Sequence, residues 1–137
     1  MAEQINPWSS TPKVNMNRLF EDFGIDPFEP QKERLGDLPA FIRRDIIQGH
    51  RGYDAVSDAI INKKPFHVLT GFMPSGHPHF GHLMVMKEVV WHINQGGQGF
   101  ISMADREAHA VRGLSWEKCD EYAREYMNCL YALGFKG

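Results

Sequence analysis

Two imidazoles three residues apart, His79 and His82, flank the bare backbone of Gly81 near the end of the run Thr70-Gly71-Phe72-Met73-Pro74-Ser75-Gly76-His77-Pro78-His79-Phe80-Gly81-His82. At helical spacing the two rings share one face. Each can donate a hydrogen bond to a phosphate oxygen, more strongly when protonated. Gly81 has no Cβ, so a flat base can lie directly on the chain there. The run falls between the end of an apolar segment and the start of a periodic one. A helix that opens at this point presents unpaired N–H groups and the positive end of its dipole, which suits a phosphate. Such a constellation would bind ATP and stabilise charge developing at the α-phosphorus, with no covalent step. Set against this, a His pair at that spacing is often an ordinary surface feature or half of a metal site.

The elements that must position these residues follow from pattern. His67-Val68-Leu69-Thr70, ending at Gly71, fits a buried strand, and Phe72 to Pro78 a Pro- and Gly-rich loop. From about Phe80 to Gln95, Leu83, Met84, Met86, Val89, Val90 and Ile93 cover a wide apolar face, which predicts a helix packed on a sheet. Gly96-Gly97 stops it, and Gly99 to Ala104 is a second buried-strand candidate ending at Asp105. A last helix is predicted from a Ser115 cap to about Leu133, with Trp116, Cys119, Ala123, Tyr126 and Leu130 on one face and Gly134 at C′. Strand, loop, helix, strand, helix opens a parallel α/β fold, whose ligands bind at the carboxyl ends of the strands.

Upstream, the first 14 residues read as an irregular lead-in, and Asn15–Phe23 as a short helix stopped by Gly24. Asp26 to Pro30 is a break, because each proline disfavours the α region in the residue before it. Phe41 to Ile47 is helix or strand, Gly49 to Gly52 a turn. Asp54 caps a helix to about Lys63 with Val56, Ala59 and Ile60 inward. The expected organisation is an extension, mainly helical, over residues 1–64 and the first half of a Rossmann-like parallel βαβα catalytic domain over 65–137. Two strands cannot complete a sheet with both faces covered. The reading therefore expects a partial domain, whose exposed apolar faces favour homo-oligomers or poor solubility.

Composition narrows the classes further. The chain has 137 residues, 42% hydrophobic and 23% charged, a globular composition. Fifteen Lys+Arg against seventeen Asp+Glu give a net charge of −2, so no bulk basic field draws in a polyanion. The two cysteines, Cys119 and Cys129, form no Cys-x-x-Cys pair, and a reducing cytoplasmic setting with both packed as small apolar groups is expected. No membrane span is expected, since no run of about eighteen apolar residues occurs. The seven histidines form no spaced set with cysteines or carboxylates, so no metal site is expected. Arg43-Arg44 and Lys63-Lys64 read as solvated pairs, and Trp116, Tyr122 and Tyr126 as packing residues.

His79-Phe80-Gly81-His82 resembles the His-x-Gly-His signature of class I aminoacyl-tRNA synthetases. Thr70 to Gly76 looks like the loop that precedes it in the tryptophanyl enzymes of archaeal type, Thr-Gly-x-x-Pro-Ser-Gly. Ala104 to Gly113 resembles their Ala-Asp-x-Glu-Ala-Tyr-Ala-x-Arg-Gly segment, and Arg43 to Arg51 their Arg-Arg-Gly-Ile-x-x-x-His-Arg stretch. Pro7-Trp8 and Phe20 to Gly24 also sit where similar elements occur. This resemblance implies ATP-dependent activation of tryptophan to its adenylate, with magnesium accompanying the ATP, and transfer to tRNA(Trp). It implies ATP contacts at His79, Gly81 and His82, with the two histidines catalytic. Pro74, Ser75, Gly76, His77, Pro78 and Phe80 complete the nucleotide loop, and Leu69, Gly71, Ser102, Asp105 and Glu107 face the amino acid. A buried carboxylate or hydroxyl in that last group would accept the indole N–H. The chain departs from the family pattern at Leu69, where eukaryotic relatives carry Tyr, and at Ser102, where they carry Gln. It departs again at His77 for a common Lys and at Asp45 for Gly, and these residues hold no Lys-Met-Ser-Lys-Ser-like segment. Two other readings stay open at this point. One is a small cofactor adenylyltransferase of the same superfamily, and the other a truncated, non-catalytic product that binds nucleotide, tRNA or a partner.

Overall fold

The structure, a computed structural model, describes residues 16–137. The irregular lead-in, Pro7-Trp8 and the expected helix start at Asn15 lie outside the described residues. Helix α1 covers Met16–Phe23 and stops at Gly24, which takes a left-handed φ of 56°. Strand β1, Asp26–Pro27, pairs antiparallel with β2, Gly49–His50, so the predicted turn over 49–52 begins with a paired strand.

Helix α2 runs over Glu29–Leu35, where the prolines predicted a break. Pro30 falls in the first turn, where its missing N–H would have had no intrahelical partner in any case. Phe28 just before it is 3% exposed and anchors the turn against Leu38 and Ile42. The ambiguous Phe41–Ile47 stretch resolves into one helical turn, α3 over Ala40–Arg43, followed by a bend at Asp45 with φ 58°. Aspartate is among the few side chains that tolerate that region.

Helix α4 covers Asp54–Ile61. The sequence predicts Asp54 as its cap, but Tyr53 stands at the cap, with no bond from its side chain to the helix start. The Asp54 carboxylate is turned instead to α2, where it accepts from Gln31 Nε2 at 2.7 Å and meets Arg34 Nη1 at 3.4 Å. The buried side of α4 is Ser57 and Ala59, with Val56 and Ile60 half-buried. Ser57 Oγ donates to Gln31 Oε1 at 2.7 Å, so the α2–α4 joint is a satisfied polar contact.

The helix ends two residues short of Lys63, which sits in the left-handed region with φ 51°. Lys64 N donates to Ala59 O at 2.8 Å and Lys63 N to Ile60 O at 3.3 Å. Those two bonds make a Schellman ending with lysine in the position glycine prefers. Lys63→Gly is expected to stabilise the protein by about 0.5 kcal/mol, the left-handed strain relieved less the entropy glycine adds to the unfolded chain. Urea unfolding of both proteins measures it.

The parallel pair is β3, His67–Phe72, and β4, Gln98–Met103, in register from His67↔Gln98 to Phe72↔Met103. Between them α5 spans Phe80–Asn94. After β4 come α6, Asp105–Arg112, and α7, Trp116–Ala132. Phe72, Met86, Val89, Val90, Tyr126, Leu130 and Phe135 form the main core, with Val68 and Ile101 packed against it. Core contacts thus come from alternate strand residues and from α5 and α7 on one face of the pair.

Both runs read as buried strands, and the structure corrects this for alternate residues, in line with a sheet too small to have both faces covered. His67, Leu69 and Gly71 of β3 and Gln98, Phe100 and Ser102 of β4 are exposed, Leu69 by 75% and Phe100 by 48%. Strand side chains alternate between faces, and among the described residues helices cover only one of them. Gly99 sits on the covered face, where an added Cβ would stand 2.4 Å from Ile93 Cδ1, so glycine is what lets α5 approach the sheet.

The sequence reading did not assign α6. Its local signals are acidic residues in the first turn, Asp105 and Glu107, and basic ones in the last, His109 and Arg112. Gly113 closes it in the left-handed conformation at φ 66°. Ser115 caps α7 by accepting from Lys118 N at 3.3 Å. Its far end is a Schellman motif with Gly134 at C′, where Gly134 N donates to Tyr131 O and Phe135 N to Leu130 O, both at 3.0 Å. Phe135 folds back beside Leu130 into the core, the hydrophobic contact that accompanies this motif. Both cysteines are free, Cys119 buried and Cys129 half-buried. The N-terminal cluster of Phe28, Leu38 and Ile42 rests against Trp91 of α5. No helix among the described residues is long and apolar enough to cross a membrane.

Candidate functional site

The loop from Met73 to His79 leaves the carboxyl end of β3 and enters α5. Pro74 is buried and fixes the loop's first bend, where Ser75 N donates to Met73 O at 2.8 Å. His79 is the N-cap of α5, with extended backbone at φ −138° and ψ 178°. Its Nδ1 accepts from Gly81 N at 3.1 Å, and His82 Nδ1 accepts from His79 N at 3.2 Å. Two histidines thus perform the reciprocal capping usually done by a hydroxyl and a carboxylate.

This geometry fixes the tautomers. A backbone N–H can only donate, so each Nδ1 offers its lone pair and each ring carries its proton on Nε2. Both imidazoles are therefore N–H donors while electrically neutral. Their centroids are 3.9 Å apart. Burial, and then the neighbouring His79, push the His82 imidazole below its ordinary value.

Gly81 serves the cap as well as the open backbone. An added Cβ would lie 3.0 Å from His79 Cε1 and 3.1 Å from Nδ1, pressing on the ring that closes the helix start. Phe80, 87% exposed, stands beside it. Next to this turn is a wholly apolar groove of about 350 Å3 lined by Pro78, His79, Phe80, Leu83, Met86 and Cys129.

Residues far off in sequence complete the surroundings. Tyr126, 1% exposed, holds its hydroxyl 3.2 Å from His82 Nε2 and 3.3 Å from Nδ1. Glu125 Oε2 is 2.7 Å from His77 Nδ1, and the Tyr122 ring meets the edge of His77 at 5.0 Å. The sequence reading took Tyr122 and Tyr126 as packing residues and did not single out Glu125. The available signal was their spacing, which puts positions 122, 125 and 126 on one face of α7.

The structure gathers the nominated residues into two groups. His77, His79, Gly81 and His82 lie at the α5 entrance, backed by α7. Leu69, Gly71 and Ser102 lie on the open sheet face, where Gly71 pairs with Ser102 across the strands and Leu69 with Phe100. Asp105 and Glu107 open α6 just past β4 and are exposed, and Asp105 Oδ1 accepts from Arg106 N at 2.8 Å. Because the strands are parallel, both groups surround the same end of the sheet. Among the described residues no three His, Cys, Asp or Glu side chains are grouped to hold a metal ion.

The family of tRNA synthetases class I (W and Y) matches residues 61–136. The tryptophan–tRNA ligase of Methanosarcina acetivorans is 46% identical over 137 residues, covering 99% of this chain and 31% of the relative. That of Archaeoglobus fulgidus is 43% identical, covering 96% of this chain and again 31% of the relative. The crystal structure of the tryptophanyl-tRNA synthetase from Aeropyrum pernix superposes with a TM-score of 0.78 at 36% identity, over 96% of this chain and 37% of that one. The chain thus spans about a third of the length of the curated relatives it matches. It belongs to the class I tRNA synthetases of the tryptophan and tyrosine group, as a homologue of the N-terminal portion of archaeal tryptophan–tRNA ligases.

Proposed function

We propose that this chain carries the ATP-gripping part of a tryptophan-activating site, in an enzyme of the cytoplasm that charges tRNA(Trp). The observation that carries the reading is the histidine capping box. Two Nε2–H donors, fixed by that box, gather at a helix start where a parallel strand ends. Family membership and the names of the relatives support tryptophan, ATP and tRNA(Trp) as the substrates, with magnesium entering on the triphosphate.

In the activation step a carboxylate oxygen of tryptophan attacks the α-phosphorus, a P–O bond forms, the bond to the bridging oxygen breaks, and pyrophosphate leaves. Negative charge grows on the oxygens around the α-phosphorus and on the departing group. His79 and His82 meet that charge as preset donors, held by their caps so that little reorganisation is needed. The nucleotide loop over Pro74, Ser75, Gly76, His77, Pro78 and Phe80 lies over the phosphates. Leu69, Gly71, Ser102, Asp105 and Glu107 face the amino acid, with Leu69 offering an apolar surface.

The reading is tested by pyrophosphate exchange with each amino acid, using a chimera of this chain and the remaining length of the Methanosarcina acetivorans ligase. Tryptophan is expected to drive exchange best. Faster exchange with another amino acid would defeat the specificity assigned, and ATP binding without any exchange would reduce the chain to a nucleotide-binding module. The matched family, the synthetases, favours this reading over the cofactor-adenylyltransferase alternative.

A further inference from the structure

Of the three histidines in the nucleotide loop and helix start, His77 is held differently. His79 and His82 accept at Nδ1 from backbone N–H groups, whereas His77 Nδ1 faces a carboxylate oxygen, Glu125 Oε2, at 2.7 Å. An ionised carboxylate only accepts, so the proton of His77 lies on Nδ1, the reverse of the other two. The ring is fixed a second time by Tyr122, whose ring it meets edge-on at 5.0 Å and 80°. Tyr122 and Glu125 lie three residues apart on one face of α7, and Tyr126 of the same face reaches His82. The side chain of His77 remains 71% exposed and that of Glu125 37%, so the pair is open to a ligand entering from solvent.

We infer that Glu125 is a positioning residue of the nucleotide site, which holds His77 by Nδ1 and turns Nε2 toward the triphosphate. This rests on the nucleotide reading proposed above. With Nδ1–H engaged, the ring meets a phosphate oxygen through Nε2. Nε2 donates once the ring has taken a second proton from solvent, and the Glu125 carboxylate then balances the imidazolium. Among the described residues, the groups that face His77 are Glu125 and Tyr122 from α7, with the Lys118 ammonium 5.6 Å from the Tyr122 ring, and His79 follows two residues along the same loop. Glu125 is the only carboxylate among them. It acts on ATP through His77 and does not touch the reacting atoms itself.

The test uses the 137-residue chain with ATP as the probe, in the wild type and in Glu125→Ala and Glu125→Gln. Long-range 15N–1H spectra report the His77 tautomer without ligand. Calorimetry in two buffers of different ionisation enthalpy reports affinity and proton uptake. The wild type is expected to carry its His77 proton on Nδ1 and to take up protons as ATP binds. Glu125→Ala is expected to release the tautomer, weaken ATP about fivefold, as for a partly exposed ion pair, and reduce the uptake. Glu125→Gln keeps an acceptor without the charge, so it should retain the tautomer and still lose uptake. A wild type that fails to bind ATP overturns both this inference and the nucleotide reading. A wild type that binds ATP, with Glu125→Ala matching it in affinity and proton uptake, overturns the role of Glu125 alone.

Discussion

Replacing His82 with alanine in the chimeric ligase is expected to slow tryptophan activation by about 30–1,000-fold, roughly 2–4 kcal/mol of transition-state stabilisation. The size follows from what the ring does in the structure. Its Nδ1 is committed to the helix start, its Nε2 carries a proton, and Tyr126 stands against it at 3.2 Å. A donor aimed before the reaction begins is worth more than one that must be recruited from water. The loss should therefore fall on kcat more than on the KM for ATP, since charge at the α-phosphorus grows only during reaction. His79→Ala is expected to behave similarly, with an added cost in stability from the lost cap of about 1 kcal/mol. Pyrophosphate exchange read beside urea unfolding separates the two effects. An unchanged exchange rate in both variants would refute the role assigned to these rings.

That prediction also marks how far the sequence carries. The loop, the start of α5 and the ending of α7 were legible because local chemistry dictates them. Ser115 and Gly134 are cap residues at the places caps require, and the 80–94 stretch has one broad apolar face. The prolines at 27 and 30 misled, since the rule that a proline disfavours helix in the residue before it yields when a buried Phe28 anchors the first turn. Helix α6 escaped because it buries one residue, Ala108, and so has almost no apolar period to detect. The strand count showed that a sheet face would stay open, but not which strand residues would lie on it. A run such as Val68-Leu69-Thr70 reads the same whether one face or both are covered.

The site was legible to the same degree. Its histidines and glycine are adjacent in sequence, so their meeting at the helix start needed only a turn. Their supports are not adjacent. Glu125 lies 48 residues from His77 and Tyr126 lies 44 from His82. Only the packing of α7 beside α5 brings them within reach, and no spacing rule carries that information. The tautomers are likewise a property of the fold, because they depend on which backbone N–H each Nδ1 meets.

Glu88→Gln is expected to stabilise the protein above neutral pH by about 1–2 kcal/mol and to leave it nearly unchanged at pH 5. Glu88 lies on α5 among Tyr53, Trp91 and His92, and its Oε1 is buried with no hydrogen-bond partner among the described residues. Burial pushes its carboxyl up from 4.5 to about 7. The folded state therefore keeps a proton that the unfolded chain gives up between those two values. The stability this provides is complete below pH 4.5 and is lost as pH rises through about 7, where the buried group must ionise. A full shift of that size would correspond to roughly 3 kcal/mol, reduced here because the side chain is only part-buried. Glutamine cannot ionise and escapes the loss. His92 acts in the opposite direction. Burial holds its imidazole below the ordinary value against the raising effect of its bond to the Glu88 carbonyl, and its Nε2 meets the Tyr53 hydroxyl. That contribution is lost as pH falls through the ordinary histidine range near 6.5, as is that of His82. Between about pH 4.5 and 7 the two effects oppose one another, the glutamate lowering stability as pH rises and the two histidines lowering it as pH falls, and above about 7 neither changes it further. Urea unfolding from pH 5 to 9 checks it. Glu88→Gln should remove the glutamate's share, so that the variant gains on the wild type as pH rises from 5 to about 7 and keeps a constant lead above that, whereas parallel curves for the two proteins would show that the Glu88 carboxyl is ionised in the folded state throughout.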